Sequence, residues 1–314
     1  MTGSTRYHVP VLADAVVEML CTGRSGVVVD GTLGGGGHFD RLAAALDAQS
    51  TLVGIDRDAD AVAFNRGRSH PSQARIIIEQ SRFSEVAAVL NGYEITHADG
   101  ILLDLGVSSF QIDTDRRGFS YMRECELDMR MNGGDALTAA QLIAQSGEDE
   151  LATILGEYGE VRNPFRMARA IKHYPGSIET STDLRDCLNR EYGSELRYAV
   201  LAKVFQALRI AVNDELGELS RMLDASKSLL NKGGRIAVIT YHSLEDRMVK
   251  EFFKNSEPHC ICQKGALMCT CGTPGTLKRI TRKPVAADTA ETKDNPRARS
   301  ARLRVAEKIS EVTE

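Results

Sequence analysis

The sequence contains no tryptophan, and aromatic residues make up only 5% of it. It also lacks any run of about 18 consecutive apolar residues, so no membrane-spanning helix and no membrane partner are predicted. Residues 1–12 hold no apolar segment behind a basic start, and we therefore expect no secretory signal. Seven cysteines are an odd number in a chain of this length, which favours reduced thiols in the cytoplasm over a disulfide scaffold.

Length and overall charge are those of an ordinary globular protein. The 314 residues suit one large or two modest domains, and 42% are hydrophobic and 26% charged. A formal net charge of −4 does not by itself indicate a nucleic-acid-binding protein. Within residues 278–304, however, nine Lys or Arg stand against three Asp or Glu, so the overall charge hides a basic segment.

The chain is organised around residues 27–38, which read Val-Val-Val-Asp-Gly-Thr-Leu-Gly-Gly-Gly-Gly-His. Three β-branched residues predict a buried strand that ends at Asp30, and residues 39–46 have helical spacing. A strand, a glycine-rich turn and a helix in this order let a nucleotide lie against bare backbone, because glycine has no Cβ. A plain tight turn is the alternative, since a glycine-rich turn alone is a weak motif.

A second apolar strand, residues 51–56, ends at Asp56, which follows the last glycine by 19 positions. An acidic side chain about 20 residues after such a turn accepts hydrogen bonds from ribose hydroxyls. The alternative for Asp56 is a helix N-cap, a role that Asp58 or Asp60 could fill equally well. A free ribose indicates NAD, FAD or S-adenosylmethionine. Asp30, just before the glycines, would repel a pyrophosphate and suits the ammonium group of a methionine moiety. The charge pattern therefore favours S-adenosylmethionine.

Two further strands are predicted at residues 75–79 and 100–106. Phe83 follows the first of them, where it either flanks an adenine or packs in the core. Asp104 is the single charge in the second strand and lies near the carboxyl end, where parallel sheets bind their ligands. Because a buried carboxylate without a partner is costly, we predict that Asp104 is functional.

The alternation of strands and helices stops after residue 109. Residues 113–131 read as a long polar loop, and such loops are usually functional. Helical patterns follow, the first introduced by a capping box at Thr138 and Gln141. The expected organisation is a discontinuous domain, residues 1–112 and 213–314, with an all-helical insertion at residues 113–212.

The α/β pattern returns with a helix at residues 214–230, which Gly233 and Gly234 are expected to end. A fifth strand at residues 235–241 brings His242 to the ligand edge, either as a substrate contact or as a helix-capping neighbour. Alternation at residues 302–305 predicts a partly exposed final strand.

Four cysteines form two C-x-C pairs six residues apart: Cys260, Cys262, Cys269 and Cys271. Four thiols at this spacing have the number of ligands that Zn²⁺ needs, but C-x-C is a tighter and less common chelate than C-x-x-C. A zinc site, a redox-active pair and plain reduced thiols all stay open, and no metal ligand is assigned.

Seven segments follow one another in a recognisable order: Asp-Gly-Thr-Leu-Gly-Gly-Gly-Gly-His (30–38), Ile-Asp-Arg-Asp (55–58), Leu-Leu-Asp-Leu-Gly-Val-Ser-Ser (102–109), Arg-Gly-Phe-Ser (117–120), Leu-Asp-Met-Arg-Met (127–131), Tyr-His-Ser-Leu-Glu-Asp-Arg (241–247) and Asn-Pro-Arg-Ala-Arg-Ser (295–300). Together they resemble the bacterial 16S ribosomal RNA cytosine-N4 methyltransferases of the RsmH type. The resemblance extends over about residues 6–308.

This resemblance implies an α/β fold, namely a Rossmann-like S-adenosylmethionine-dependent methyltransferase sheet with an inserted all-helical domain for substrate recognition. It implies a substrate as well, the exocyclic N4 of a cytidine in the decoding region of 16S rRNA within the small ribosomal subunit. The implied cofactor is S-adenosylmethionine, with contacts from Gly36, Gly37, His38, Asp56, Phe83, Asp104 and Gln111. The alternatives are an NAD-dependent enzyme and an assembly factor that binds S-adenosylmethionine without turnover. No oligomeric state is predicted.

The chemistry of the reaction suggests roles for particular side chains. The N4 lone pair is delocalised into the cytosine ring, so catalysis must hold N4 in line with the methyl group and accept hydrogen bonds from the amine. Asp104 is the predicted acceptor, with a role towards the cofactor alone as the alternative, and Tyr121 or Phe119 is expected to stack on a flipped base. The predicted catalytic residues are Asp104, Tyr121 and His242. Eight basic residues are expected to contact RNA phosphates: Lys278, Arg279, Arg282, Lys283, Arg297, Arg299, Arg302 and Arg304.

Overall fold

The computed structural model describes residues 10–23, 25–108, 111, 117–120, 122–193, 198–259, 262 and 275–310. The chain divides into two compact units. The first unit joins Met1–Gly106 to Glu218–Glu314, and the second is Val107–Gly217. None of the helices within the described ranges has both the length and the apolar character needed to cross a membrane.

Helices and strands alternate in the first part of the chain, helices follow one another in the middle, and strands return at the end. In chain order the elements are α1 (Ala13–Leu20), β1 (Val27–Asp30), α2 (Gly37–Ala45), β2 (Thr51–Asp56), α3 (Ala59–Arg66), β3 (Arg75–Gln80), α4 (Val86–Asn91), β4 (Ala98–Asp104), α5 (Ala139–Gln145), α6 (Glu148–Glu157), α7 (Pro164–Lys172), α8 (Ser181–Tyr192), α9 (Tyr198–Asn213), α10 (Glu215–Leu229), β5 (Leu230–Thr240), α11 (Ser243–Asn255), β6 (Leu277–Arg279), α12 (Thr289–Asp294) and β7 (Arg302–Lys308).

The first unit contains one sheet with the strand order β3-β2-β1-β4-β5-β7-β6. Strands β1 to β5 run parallel, whereas β7 is antiparallel to both of its neighbours, β5 and β6. The order reverses between β1 and β4, which are adjacent in the sheet although two strands separate them in the sequence. Parallel sheets bind ligands outside the carboxyl ends of the strands at such a reversal. In this protein, Asp30 and Asp104 end the two strands concerned.

The strands read as continuous apolar runs because both faces of the sheet are covered. Val29 and Ile101 belong to one buried apolar cluster, and their neighbours Val28 and Leu102 belong to another. Alternate side chains of a strand point to opposite faces, so the two clusters lie on the two sides of the sheet. This is the usual arrangement of a parallel sheet packed between helices.

The described part of the second unit is built from helices α5 to α9 around an apolar core of its own. The predicted capping box of Thr138 and Gln141 is present at the start of α5 and is therefore confirmed. The buried amide of Asn213 accepts a hydrogen bond from the Met131 main-chain N–H at 2.8 Å and donates one to the Met129 carbonyl at 2.7 Å. It thereby ties the segment before α5 to the end of α9.

Two expectations for the last third of the chain are wrong. Helix α10 ends at Leu229, and Gly233 and Gly234 lie inside β5, where the pairing with β4 shifts register. Gly233 has a φ of +84°, so it shapes an irregularity of the strand rather than a helix end. The final strand, β7, is mostly buried instead of partly exposed, because Leu303 and Val305 pack into one apolar cluster and Ala306 into the other. Strand β6, which no sequence pattern predicted, pairs with the last three residues of β7.

Candidate active site

Asp104 lies at the carboxyl end of β4, and both of its carboxylate oxygens have a protein partner. The Tyr241 hydroxyl donates to Oδ1 at 2.8 Å, and Nδ1 of His38 lies 3.4 Å from Oδ2. The Asp104 main-chain N–H donates to Oγ1 of Thr32 at 2.6 Å. The Asp104 side chain still has 25% of its surface exposed, so a ligand can reach it.

His38, in the first turn of α2, is buried and uses both ring nitrogens within the protein. Its Nε2 lies 2.8 Å from the Val11 carbonyl oxygen, and its Nδ1 faces Asp104. Burial works to lower the pKa of this imidazole, but Asp104, Asp30 and the Val11 carbonyl outweigh that effect and raise the pKa to about 9. His38 is therefore positively charged at neutral pH. Because both ring nitrogens already have partners in the protein, neither is left to form the predicted hydrogen bond with the cofactor.

Asp30 ends β1 and is only 1% exposed. Its Oδ1 accepts a hydrogen bond from the Thr32 N–H at 3.1 Å, whereas its Oδ2 is buried without a hydrogen-bond partner in the described part of the chain. Burial raises the pKa of this carboxyl to about 7, against the opposing influence of His38 and the Thr32 N–H. Asp30 thus adds partial negative charge next to the His38 imidazolium.

Tyr241 is a part of this site to which no sequence pattern assigned a role. Burial, followed by the charge of Asp104 and the hydrogen bond to it, raises the pKa of the phenol well above its usual range, so the hydroxyl keeps its proton and remains a donor. The available signal was its position, since it directly follows β5 at the edge where β4 ends with Asp104. Parallel strands place such residues close together.

Asp56, at the end of β2, holds the glycine-rich turn. Its Oδ2 accepts the Gly34 N–H at 2.7 Å, and its Oδ1 accepts the Asp58 N–H at 2.8 Å. The N-cap of α3 is Asp58, whose side chain accepts from Asp60 N–H. Burial raises the pKa of Asp56 to about 6, while those two main-chain donors work to lower it. Each Asp56 oxygen has a second lone pair that is suited to a ribose hydroxyl.

The predicted cofactor contacts Gly36 and Gly37 are also required for packing within the protein. Gly36 has a φ of +80° and is the N-cap of α2. A Cβ on Gly36 would collide with Asn65 Oδ1 and with the Arg68 guanidinium, and one on Gly37 would lie 3.2 Å from the Pro10 ring. The side-chain amide of Asn65, in α3, also donates to the Gly34 carbonyl at 2.9 Å and so helps to fix the conformation of this turn.

Phe83 and Gln111 occupy different units. Phe83 is half-buried and packs against the apolar core of the first unit. This position matches the core-packing alternative to an adenine contact. Gln111 is buried in the second unit, where its Oε1 accepts the Ser108 N–H at 3.0 Å and its Nε2 donates to the Met131 carbonyl at 3.5 Å. The cofactor roles of both residues stay predictions.

The other two predicted catalytic residues are Tyr121 and His242. Tyr121 lies outside the described residues. His242 is the N-cap of α11, where its Nδ1 accepts from the Glu245 N–H and the Glu245 carboxylate accepts from the His242 N–H in return. This geometry matches the helix-capping alternative, and a contact with substrate stays a prediction.

The double C-x-C segment lies largely outside the described residues, which include Cys262 but not Cys260, Cys269 or Cys271. The three alternatives for these thiols stay open. Phe119, the alternative stacking residue, packs against the apolar core of the second unit.

The first unit suits a cationic ligand that contains a ribose. Three carboxylates, Asp30, Asp56 and Asp104, end adjacent strands at one edge, and His38 is the positive charge among them. An edge with an excess of negative charge repels a pyrophosphate and attracts a sulfonium and an ammonium group. The unpartnered Asp30 oxygen and the remaining lone pairs of Asp56 are consistent with S-adenosylmethionine, which carries both cations and a free ribose.

The sheet and its carboxyl edge define a Rossmann-like, S-adenosylmethionine-dependent methyltransferase, so the predicted fold class and cofactor are confirmed. More specifically, the chain belongs to the MraW methylase family, whose family model matches residues 5–309.

Curated relatives resemble the chain over almost its whole length. A protein of Citrifermentans bemidjiense named ribosomal RNA small subunit methyltransferase H is 44% identical over 308 residues, which cover 96% of this chain and 99% of the relative. Proteins of the same name from Heliobacterium mobile and Chlorobium chlorochromatii are 42% and 44% identical, and each alignment covers 96% of this chain. These two alignments cover 99% of the Heliobacterium protein and 96% of the Chlorobium protein.

Proposed function

We propose that this protein transfers a methyl group from S-adenosylmethionine to the exocyclic N4 of a cytidine in the decoding region of 16S rRNA, with the small ribosomal subunit as the substrate particle. The observation that carries the proposal is the Asp104 carboxylate at the end of β4, which is oriented by two donors and still accessible. The names of the relatives support ribosomal RNA as the substrate.

Bound S-adenosylmethionine supplies an electrophilic methyl group on a positively charged sulfur. Asp104 accepts a hydrogen bond from the N4 amine, which localises the nitrogen lone pair as the amine loses planarity. No strong base is required, because N4 is acidic once it is methylated and cationic, and its proton passes to water. Asp56 binds the ribose hydroxyls through its remaining lone pairs. Gly36, Gly37, His38, Phe83, Asp104 and Gln111 are the other proposed cofactor residues.

Substrate recognition is proposed for the helical second unit and for part of the basic segment. The second unit exposes large apolar side chains, with Phe165 60%, Tyr198 65% and Met122 63% exposed. Exposed aromatic rings are suitable for stacking on unpaired bases. Tyr121 is the proposed stacking partner of the target cytosine, and its replacement by alanine should lower kcat/KM with little change in cofactor affinity.

One of the eight basic residues, Arg304, is not available for RNA phosphates. Arg304 is buried and forms a bidentate ion pair with Asp246, and Arg279 is paired with Glu257. The expectation that Arg304 contacts RNA is therefore wrong, whereas the contact of the partly exposed Arg279 stays a prediction. Exposed positive charge remains on the same segment at Lys278, Arg282, Lys283, Arg299 and Arg302.

The test is methylation of purified small subunits with isotopically labelled S-adenosylmethionine, followed by mass spectrometry of the rRNA. We expect N4-methylcytidine from the wild type, and no turnover from Asp104→Ala. Asp224→Asn changes an exposed carboxylate of α10 and should leave the rate unchanged. Tight binding of S-adenosylmethionine and of the small subunit without any methyl transfer would contradict the proposal and favour a non-catalytic assembly factor.

A further inference from the structure

We propose that His38 and Tyr241 are positioning residues that hold the Asp104 carboxylate between two donors, and that His38 does so as a doubly protonated imidazolium. The inference deepens the proposed function and rests on it in one respect, the role of Asp104 as the acceptor for the substrate amine. It assigns to the His38 imidazole an action through Asp104, in addition to the cofactor contact proposed above.

The first argument is the hydrogen-bonding capacity of the imidazole. Both ring nitrogens of His38 face oxygens that only accept hydrogen bonds, the Val11 carbonyl at 2.8 Å and the Asp104 carboxylate at 3.4 Å. A neutral imidazole has one donor and one acceptor nitrogen, so it would turn a lone pair towards one of these oxygens. Only the doubly protonated ring satisfies both. The side chain is 7% exposed, so water does not replace either partner.

The second argument is the balance of charge around this carboxylate. From β1 and β4, the carboxylates Asp30 and Asp104 both favour the charged imidazole and raise its pKa. On the other side of Asp104, burial raises the pKa of Tyr241, and the charges of Asp104 and of Glu245 in α11 raise it further. Arg297 works to lower this pKa. The tyrosine hydroxyl therefore donates throughout the neutral range, and both positioning residues stay donors.

The third argument is that the two donors bind different oxygens of the same carboxylate. Tyr241 bonds to Oδ1 and His38 faces Oδ2, so rotation of the carboxylate would break one of the two interactions. The main chain is held as well, by the bond from the Asp104 N–H to Thr32. The remaining lone pairs of Asp104 then have a defined direction, which a hydrogen bond to a reacting amine requires.

A pair of substitutions separates the two bonds of His38. The side-chain amide of His38→Asn can place a donor near the position of Nδ1, and that of His38→Gln can place one near Nε2. We expect His38→Asn to retain kcat within about tenfold, because a donor to Asp104 persists, and His38→Gln to lose on the order of a hundredfold. Calorimetric affinity for S-adenosylmethionine and the unfolding midpoint are measured for both variants. Equal kcat values, or values that follow only the unfolding midpoint, would overturn the proposal.

Tyr241→Phe removes the second donor without changing the shape of the ring. The expected loss in kcat is on the order of 10- to 100-fold, the range for a hydrogen bond to a charged group. The matched control is Tyr93→Phe, which removes another tyrosine hydroxyl bonded to a carboxylate, that of Glu79, in the same unit. Tyr93→Phe should leave kcat unchanged, whereas equal losses from both substitutions would indicate a general structural effect.

The charge state of His38 can be measured without any activity assay. Nitrogen NMR of the free protein should give two protonated ring nitrogens for His38 at pH 7, with titration near pH 9, and kcat of the wild type should fall as the pH rises through that value. His38→Asn should remove this alkaline fall. A neutral His38 ring at pH 7 would refute the inference, whereas a charged ring in a protein that methylates no cytidine would sustain the charge assignment and reject the proposed function instead.

Discussion

Arg304 and Asp246 form a bidentate ion pair inside the first unit, with Nε to Oδ1 at 2.7 Å and Nη2 to Oδ2 at 3.0 Å. Arg304 is 5% exposed and lies on the interior strand β7, two residues after the exposed Arg302. Side chains two apart on a strand usually share a face, so the different exposure of the two arginines reflects what covers each position. The basic segment therefore combines arginines that stabilise the fold with arginines that are available to RNA.

Replacing Arg304 should destabilise the protein. Arg304→Ala leaves Asp246 without its cationic partner in a largely buried setting, and breaking a buried ion pair in this way costs about 3–5 kcal/mol. Urea unfolding measures this change in the free energy of unfolding. Arg302→Ala is the matched control and should stay within about 0.5 kcal/mol of the wild type. Similar losses from both substitutions would contradict the assignment of Arg304 to the interior.

The exposed arginines should control binding to RNA. Arg299→Glu combined with Arg302→Glu removes two proposed phosphate contacts, so affinity for the small subunit should fall and depend less on salt. Each lost contact reduces the slope of log affinity against log salt concentration by about 0.7–0.9. The measurement is a binding titration at several salt concentrations, with circular dichroism as the control for folding. An unchanged slope would remove these two residues from the RNA surface.

Asp56 should contribute to cofactor affinity. Asp56→Ala is expected to weaken binding of S-adenosylmethionine by about 1.5–3 kcal/mol, because a hydrogen bond between a ribose hydroxyl and a carboxylate is lost. Isothermal calorimetry measures the affinity. Asp58→Ala removes the N-cap of the adjacent α3 and should cost about 1 kcal/mol of stability with little effect on affinity. Unaltered binding by a folded Asp56→Ala protein would rule out the ribose role.

The stability of the protein should fall from mildly acidic to alkaline pH. The pKa of His38 is raised to about 9 in the folded protein, so its stabilising contribution is complete below the unfolded value of 6.5 and is lost as the pH rises through 9. By linkage this contribution is on the order of 3 kcal/mol. The raised pKa of Asp30, about 7 in the folded protein, also makes the stability fall as the pH rises, in this case between its ordinary value of 3.8 and about 7. Urea unfolding at pH 6 and pH 9.5 should differ less for His38→Gln than for the wild type.

Gly36 should tolerate no side chain. Gly36→Ala combines a positive φ with a collision against Asn65 and Arg68, so it should destabilise the protein by about 1–2 kcal/mol or more and weaken cofactor binding. Gly133→Ala is a suitable comparison, since a Cβ there meets nothing within 4 Å and the backbone has no positive φ. Thermal unfolding and calorimetry of the two variants test the difference. Equal behaviour would mean that the turn is more adaptable than its packing indicates.

Features that depend on nearby residues were predictable from the sequence. The parallel strands, the glycine-rich turn and the capping box at Thr138 follow from local periodicity and turn chemistry, and they placed Asp56 and Asp104 at strand ends correctly. The same local patterns failed at Gly233 and Gly234, because pairing with β4 extended β5 across them. A helix-ending signal was overridden there by tertiary hydrogen bonds.

Features that depend on distant residues needed the tertiary structure. Tyr241 and Asp104 are 137 residues apart, and only the pairing of β4 with β5 brings the phenol to the carboxylate. The buried ion pair of Arg304 likewise depends on Asp246, which is 58 residues away in the sequence. Sequence patterns indicate which residues carry charge and where strands end. Only packing determines which of those charges face each other, because partners and burial are set by contacts between segments remote along the chain.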